Sequence, residues 1–145
     1  MIKYAFLLRL NPTRWPTWAR QVVSHLHAKV WFKTGRRRTD DIHPGIPVVV
    51  LGTNGLGLVA CGETLTGIEF LPDPDWRDVA PEFQQECREP ENRVCVKIKR
   101  VSVSLGDLQK HPLIANLHRK ARETTTWLKS EQYQTLMSLI QKHSA

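Results

Sequence analysis

The sequence lacks any long hydrophobic run. None of its apolar stretches approaches the roughly 20 residues that a membrane-spanning helix needs. The first residues, Met1 to Leu10, are interrupted by Lys3 and Arg9, and their apolar part is too short for the hydrophobic region of a signal peptide. We therefore expect a soluble, cytoplasmic protein.

Cysteine is also scarce. Cys61, Cys87 and Cys95 are odd in number and widely spaced, which suits neither a disulfide framework nor a zinc knuckle. The six histidines form no ligand cluster of the kind found in zinc sites. The sequence therefore favours free thiols in a reducing compartment, and it predicts no metal and no cofactor.

Catalytic motifs are missing as well. The sequence contains no serine nucleophile elbow, no P-loop and no dinucleotide-binding glycine motif. Paired carboxylates occur at Asp73 and Asp75, but in a proline-rich acidic stretch such residues are usually turn residues and caps. We expect a protein without catalytic residues. A small metal-dependent hydrolase using Glu63 with these aspartates is the enzymatic alternative.

The sequence does have an excess of positive charge. Its 145 residues carry a net charge of +7, and the pI is near 9.7. Residues 73–95 run against this trend, with seven acidic and three basic side chains. A strongly basic chain favours a polyanionic partner, of which nucleic acid is the natural example. General solubility is the alternative explanation for the charge.

Alternating and β-branched runs predict five strands and one short β-prone piece, Val30 to Phe32. Asn54-Gly55 lies between the second and third strands, which predicts a tight hairpin. The fourth strand alternates so regularly that we expect one solvated face, carrying Arg93, Cys95, Lys97 and Lys99. The five strands are Ile2 to Leu10, Ile46 to Gly52, Gly57 to Leu65, Arg93 to Val103 and Thr124 to Leu128.

Helical periodicity occurs near both ends of the chain. Pro16 to His27 and Glu131 to Gln141 each place apolar residues on one helix face, and Ser130 is the expected cap of the second helix. Shorter helical stretches are predicted at Val79 to Cys87, at Gly106 with Asp107 as cap, and at Pro112 to Leu117. This order favours a single α+β domain spanning residues 1–145: a small barrel of about five to six strands with flanking helices.

Tryptophan is the most informative residue type, because five occur in this short chain. Most tryptophans fill cores and boundaries, but Trp31 ends a β-prone piece and is followed closely by Arg36-Arg37-Arg38. An aromatic face stacks on a nucleic-acid base, and arginines bind the flanking phosphates. Trp31 is therefore the leading candidate for the wall of a base pocket.

Several short motifs follow one another along the chain, each occurring once. They are Phe6 to Trp15 (FLLRLNPTRW), Val30 to Gly35 (VWFKTG), Gly57 to Glu63 (GLVACGE) and Asp73 to Trp76 (DPDW). Together they resemble the EVE domain of the PUA-like superfamily, related to YTH domains and found N-terminal to HNH nucleases in modification-dependent restriction proteins. The resemblance continues through Arg93 to Val101 and Pro112 to Ile140, so it covers nearly the whole chain.

The resemblance implies a PUA-like mixed barrel with an aromatic cage. By likeness to YTH domains, which bind methylated adenine in RNA, Trp31 is the first wall and Trp76 the second, and the backbone near Phe32 and Thr34 contacts the base edge. The implied base pocket comprises Asn11, Trp15, Trp31, Phe32, Thr34, Leu51 and Trp76. The implied backbone-binding set comprises Lys33, Arg36, Arg37, Arg38, Arg119, Lys120 and Arg122. No HNH segment is present, so nuclease activity is not implied.

We therefore expect a non-catalytic reader of a flipped or single-stranded modified base, either methylated or hydroxymethylated cytosine or methylated adenine. Modified DNA is favoured over RNA, and a nuclease or another effector protein is a candidate partner. The alternative is a protein-interaction or antitoxin-like module in which the tryptophans are core residues and the acidic segment docks a basic partner.

Overall fold

A computed structural model provides the structure. It describes residues 5–10, 27–34, 42–53, 55–74, 76–78, 81–115, 117 and 125–143. These residues form an α+β structure with seven strands, three α-helices and two short 3-10 segments. No helix among them is long and apolar enough to cross a membrane.

All seven strands belong to one sheet. They are β1 (Ala5–Leu10), β2 (His27–Lys33), β3 (Pro47–Gly52), β4 (Gly57–Thr64), β5 (Glu69–Leu71), β6 (Glu91–Val103) and β7 (Thr125–Leu128). The pairing path is β2-β6-β4-β3-β1-β7, and β5 pairs with β6 beside this path. Among the strands that the structure describes, only β1 and β3 pair in parallel. Within the described residues β2 and β7 end the path without pairing to each other, so the sheet is open.

The sheet buries apolar side chains on both faces. One face, which we call the inner face, carries Phe6, Val50, Phe32 and Val96, all at most 4% exposed, and Trp127 packs on this cluster with its ring centroid 3.8 Å from that of Phe6. The opposite, outer face carries a second cluster that includes Leu7, Leu51 and Leu58. Burial on both faces explains why β1 and β3 are apolar at successive positions.

Three α-helices accompany the sheet: α1 (Gln84–Arg88), α2 (Leu105–Gln109) and α3 (Ser130–Lys142). The apolar side of α3 packs on the outer cluster through Leu136, Leu139 and Ile140, and Leu108 of α2 joins it. The 3-10 segments Trp76–Asp78 and Pro81–Phe83 precede α1. The helices therefore cover only one part of the outer face.

Both predicted helix caps need correction. The backbone N–H of Asp107 donates to the Ser104 hydroxyl, 3.2 Å away, so Ser104 is the N-cap of α2 and Asp107 lies inside the helix. In α3 the N-cap is Lys129, whose backbone N–H donates to the Gln132 side chain at 2.9 Å. In each helix a side chain three residues away satisfies a terminal backbone group.

The predicted hairpin is confirmed, since β3 and β4 pair in antiparallel order around a turn. Gly57 closes it with φ 75°, a conformation that residues with a side chain rarely adopt. A Cβ at Gly57 would also collide with the carbonyl oxygen of Val103 in β6. This glycine therefore permits both the turn and the close approach of β4 to β6.

Other predicted elements differ from the structure. The helix expected over Pro16 to His27 falls outside the described residues except at His27, which instead begins β2. Pro112 to Ala115 form turns and Leu117 has 3-10 conformation, so the described residues of Pro112 to Leu117 contain no α-helix. The strand count exceeds the expected five to six, because β5 has three residues and shows no periodicity. Arg93 and Cys95, expected on a solvated face, are 2% and 6% exposed.

Candidate functional site

Trp31 lies on the outer face near one end of the sheet. It pairs with Cys95 of β6 and is half-buried. Directly opposite residues of an antiparallel pair share a face, as do residues two apart along a strand. Trp31 therefore shares its face with Cys95, Arg93 and Lys97, whereas Phe32 points to the inner cluster.

Arg93 anchors the segment that carries Trp76. Its guanidinium forms an ion pair of 3.5 Å with Asp73 and one of 3.6 Å with Glu91, and its Nε donates to the carbonyl of Leu71 at 3.0 Å. The N–H of Trp76 donates to the carbonyl of Asp73, 3.2 Å away. Because Arg93 and Trp31 share the outer face, this network brings the Trp76 segment to the same end of that face.

Cationic side chains already lie over the ring of Trp76. The guanidinium carbon of Arg88 is 4.1 Å from the ring centroid, and that of Arg77 is 5.4 Å away. Such cation-π contacts contribute about 0.5–1 kcal/mol at exposed sites. The half-buried Trp76 ring thus accepts a planar, positively charged group, which is the kind of surface that also stacks on a base.

The side chains of three residues of the expected pocket are buried. The Phe32 side chain is 4% exposed in the inner cluster, so it lines no accessible slot. Thr34 is equally buried, and both its N–H and its hydroxyl donate to the carbonyl of Asn92. Leu51 is packed in the outer cluster beneath α2 and α3, because its position in β3 points under the helices. The side chains of Phe32 and Leu51 therefore belong to the two hydrophobic clusters.

Several expected site residues fall outside the part that the structure describes. In the pocket these are Asn11 and Trp15. Of Lys33 only the backbone, paired with Arg93, is described. The remaining expected phosphate contacts, also outside the described ranges, are Arg36, Arg37, Arg38, Arg119, Lys120 and Arg122.

Next to Trp31, the outer face carries a group of lysines on β2 and β6. Lys97 of β6 lies directly opposite Lys29 of β2 and opposite Glu63 of β4, and Lys99 lies opposite Cys61. All three lysines are exposed. A groove of about 350 Å³ follows these residues and is bounded on the far side by Tyr133 of α3. We refer to the groove lined by Glu63, Lys97, Lys99 and Tyr133 as the basic groove.

Two groups in this groove have raised pKa values. Burial raises the pKa of the Cys61 thiol, and the neighbouring Lys99 ammonium partly offsets this effect. Burial also raises the pKa of the Tyr133 hydroxyl, with a further contribution from Cys61. Near neutral pH the tyrosine therefore remains a hydrogen-bond donor and the cysteine remains a thiol.

The cysteines and carboxylates of the described residues form no metal site. Cys61, Cys87 and Cys95 are buried free thiols, as expected. No group of three or more potential metal ligands occurs in the described ranges. Asp73 is engaged with Arg93, and Glu63 projects from the middle of the sheet opposite Lys97. Asp75 lies outside these ranges.

Similarity to known proteins is confined to structure. No family model and no curated protein matches the chain. A hypothetical protein from Leishmania major matches with a TM-score of 0.59 at 14% identity, over 99% of this chain and 98% of its own. A Pseudomonas syringae protein matches with a TM-score of 0.57 at 15% identity, over 93% and 98% of the two chains. The chain therefore shares the fold of these two proteins over nearly its whole length.

The structure also adds residues that the sequence did not single out. Arg93, Lys29 and Tyr133 all lie on the outer face, yet they come from β6, β2 and α3. The role of Arg93 could have been predicted from the acidic, proline-rich segment before it, because carboxylates that pack against the sheet need a cation as an ion-pair partner. Tyr133 had no such signal, because its helical spacing indicates an ordinary core position.

Proposed function

We propose that this protein is a non-catalytic reader that holds a modified base of a nucleic acid between Trp31 and Trp76. The observation that supports the proposal is that Trp31 shares the outer face of β2 and β6 with Arg93, whose ion pair with Asp73 holds the segment that carries Trp76. The half-buried Trp31 offers one stacking surface. The ring of Trp76 offers a second where a base takes the place of a guanidinium that now lies over it.

The proposal extends to the finer fold. The resemblance to EVE domains implies a PUA-like barrel, and a seven-stranded, mixed sheet that buries apolar residues on its inner face is compatible with that architecture. In this interpretation Phe32 and Thr34 contribute only backbone to the site, and the cage depends on Trp31 and Trp76. Modified DNA is the favoured ligand, and RNA is the alternative.

The free energies of base extraction and of stacking determine which bases a slot between two tryptophans binds. Extracting a base from a duplex costs a few kcal/mol, whereas stacking on an aromatic side chain returns roughly 1–3 kcal/mol per base. One added methyl group buried in the slot contributes about 0.8 kcal/mol, which corresponds to about fourfold in affinity. A base that is already unpaired therefore binds more readily than one in a duplex.

The test is a binding measurement with short oligonucleotides that carry 5-methylcytosine, 5-hydroxymethylcytosine or N6-methyladenine, each against its unmodified control. We expect one modified oligonucleotide to bind more tightly than its control. Trp31→Ala should remove this preference and weaken binding by about 1–3 kcal/mol. Trp31→Phe should retain part of the stacking, which separates loss of the ring from misfolding.

Phe70→Ala is the matched control, because Phe70 is 72% exposed on β5 and lies away from Trp31. Its removal should leave the affinity and the preference unchanged. Equal binding of all oligonucleotides, with no effect of Trp31→Ala, would contradict the reader function.

The exposed ring of Phe70 also favours the second candidate, a protein-interaction module. β5 has three residues and pairs with β6, and a protein partner that covered this short strand would bury the Phe70 ring. Salt dependence separates the two functions. Phosphate contacts make nucleic-acid affinity fall steeply between about 50 and 200 mM salt, whereas a module without nucleic-acid binding shows no such affinity to lose.

A further inference from the structure

The outer face contains an uncovered stretch between two covered ones. Along β6, Arg93 is buried beneath the segment that carries Trp76, and Val103 is buried in the cluster formed with α2 and α3. Between them Lys97 and Lys99 are exposed and form the floor of the basic groove. The uncovered stretch begins two residues from Cys95, the partner of Trp31.

The charges in this stretch are poorly compensated. Lys29 and Lys97 are directly opposite each other across β2 and β6, an arrangement that is unfavourable for like charges. Lys99 is on the same face, about 7 Å from Lys97 along the strand. Among the described residues that line the groove, Glu63 is the one carboxylate. Lys97, Lys99 and the adjacent Lys29 therefore carry three positive charges against one negative charge. An anion in the groove would offset the repulsion.

The groove is also shaped for an extended anion rather than an isolated one. It continues from Lys97 past Lys99 to Tyr133, and the path from Cys95 to Lys99 covers about 13 Å of strand. Because burial raises the pKa of Tyr133, its hydroxyl remains available to donate to an anionic oxygen. Lys97, Lys99 and Tyr133 thus form a row of donors along the groove, as successive phosphates of a nucleic-acid strand require.

We propose that the basic groove binds the phosphodiester backbone of the strand whose base is held at Trp31, with Lys97 and Lys99 contacting consecutive phosphates. This inference rests on the proposed function. It assigns the direction in which the nucleic-acid strand leaves the base pocket, namely across β6 and β4 toward α3. Glu63 is the one carboxylate of the groove and weakens the contact.

The experiment measures the affinity for a single-stranded oligonucleotide, with and without the preferred modified base, over a range of salt concentrations. Lys97→Gln and Lys99→Gln should each reduce the slope of log affinity against log salt by about 0.7, the value for one lost phosphate contact on a single strand. Both variants should weaken modified and unmodified oligonucleotides by the same factor, because phosphates carry no base identity.

Two further variants sharpen the test. Glu63→Gln should strengthen binding at low salt, which is opposite in sign to the lysine variants. Lys142→Gln removes the same charge from an exposed position at the far end of α3, and it should leave the slope close to that of the unaltered protein. Circular dichroism and the melting temperature establish that each variant is folded.

The outcomes separate this inference from the proposed function. If Lys97→Gln and Lys99→Gln behave like Lys142→Gln while Trp31→Ala abolishes the base preference, the groove assignment is wrong and the reader function stands. If the lysine variants reduce the slope but no modified base is preferred, the groove binds nucleic acid and the reader function is wrong. Absence of any nucleic-acid binding overturns both.

Discussion

At the scale of single residues, Arg93 has a larger structural role than its sequence position indicates. It occupies an alternating, charged position of β6, yet only 2% of it is exposed. Two carboxylates and the carbonyl of Leu71 satisfy its guanidinium. A buried charge is tolerated because it is paired and hydrogen-bonded. Alternation alone predicts a solvated side chain, because the pattern does not include the acidic segment that folds over it.

Arg93→Ala should therefore destabilise the protein and displace the Trp76 segment. Removal of the guanidinium leaves Asp73, which is 13% exposed, without its partner, and we expect a loss of about 2–3 kcal/mol in the free energy of unfolding. Urea denaturation measures this loss. Lys97→Ala, an exposed cation on the same face of β6, is the control and should change stability by less than about 0.5 kcal/mol. Similar effects of the two substitutions would contradict an anchoring role for Arg93.

The thiol of Cys61 reports on the electrostatics of the basic groove. Its pKa is raised by burial and lowered by Lys99. Because the thiolate is the reactive form, alkylation of Cys61 should require a higher pH than that of an ordinary cysteine, whose pKa is about 8.5. Lys99→Gln removes the charge that lowers the pKa and should shift the reaction to still higher pH. Mass spectrometry of the labelled protein at increasing pH measures both effects, and a shift toward lower pH in the variant would refute the assignment.

At the scale of the elements, periodicity predicts the long strands and the last helix well. β1, β3, β4, β6 and α3 lie close to their expected ranges, because each has enough residues to reveal a period and a buried face. β5 is too short for a period, and its pairing with β6 depends on the anchor at Arg93. The parallel pairing of β1 with β3 joins residues about forty positions apart, and no local pattern encodes it.

In the candidate site, too, local sequence patterns predict some features and non-local pairing determines the others. Trp31 is recognisable as a strand-end tryptophan before a basic loop, and the sequence places it correctly in a strand. Strand alternation puts Trp31 and Phe32 on opposite faces. The sequence does not reveal which of them packs in the inner cluster, because Val30, Trp31 and Phe32 are all apolar. It also leaves Lys29 and Tyr133 unassigned, since their relation to Lys97 exists only after β2, β6 and α3 have assembled.

β4 and β6 approach each other closely at Gly62. A Cβ on this residue would collide with the carbonyl oxygen of Lys97, so Gly62→Ala should push the two strands apart and cost about 1–3 kcal/mol. Gly106→Ala in α2 is the matched control, because the nearest atom to its added Cβ is the Ser104 hydroxyl oxygen at 3.9 Å. Alanine is the better helix former, so the control should be neutral or stabilising. Thermal unfolding measures both, and equal melting temperatures would disprove the close approach.

At the scale of the whole molecule, one sheet supports two hydrophobic clusters. The inner cluster lies on one face, and the outer cluster is completed by α2 and α3 on the other. Of the described elements, the helices and the Trp76 segment cover the two ends of the outer face, and Lys97 and Lys99 between them are exposed. Trp31 and the basic groove lie along this uncovered part, so the proposed site exists because two separate elements share one face of the sheet.

Because both clusters use the same strands, we expect them to unfold together. Leu8→Ala in the inner cluster and Leu136→Ala in the outer cluster each remove a side chain that is 1% exposed, and each should cost about 2–5 kcal/mol. Urea unfolding followed by far-UV and near-UV circular dichroism should give one coincident transition for both variants, with the same denaturant slope. Ser138→Ala, at an exposed position of α3, is the control and should be nearly neutral. The contrary outcome is an early transition of Leu136→Ala in which the helical signal is lost while the sheet persists. That result would mean that α3 folds separately from the sheet, and Tyr133 would then bound the basic groove without depending on the sheet.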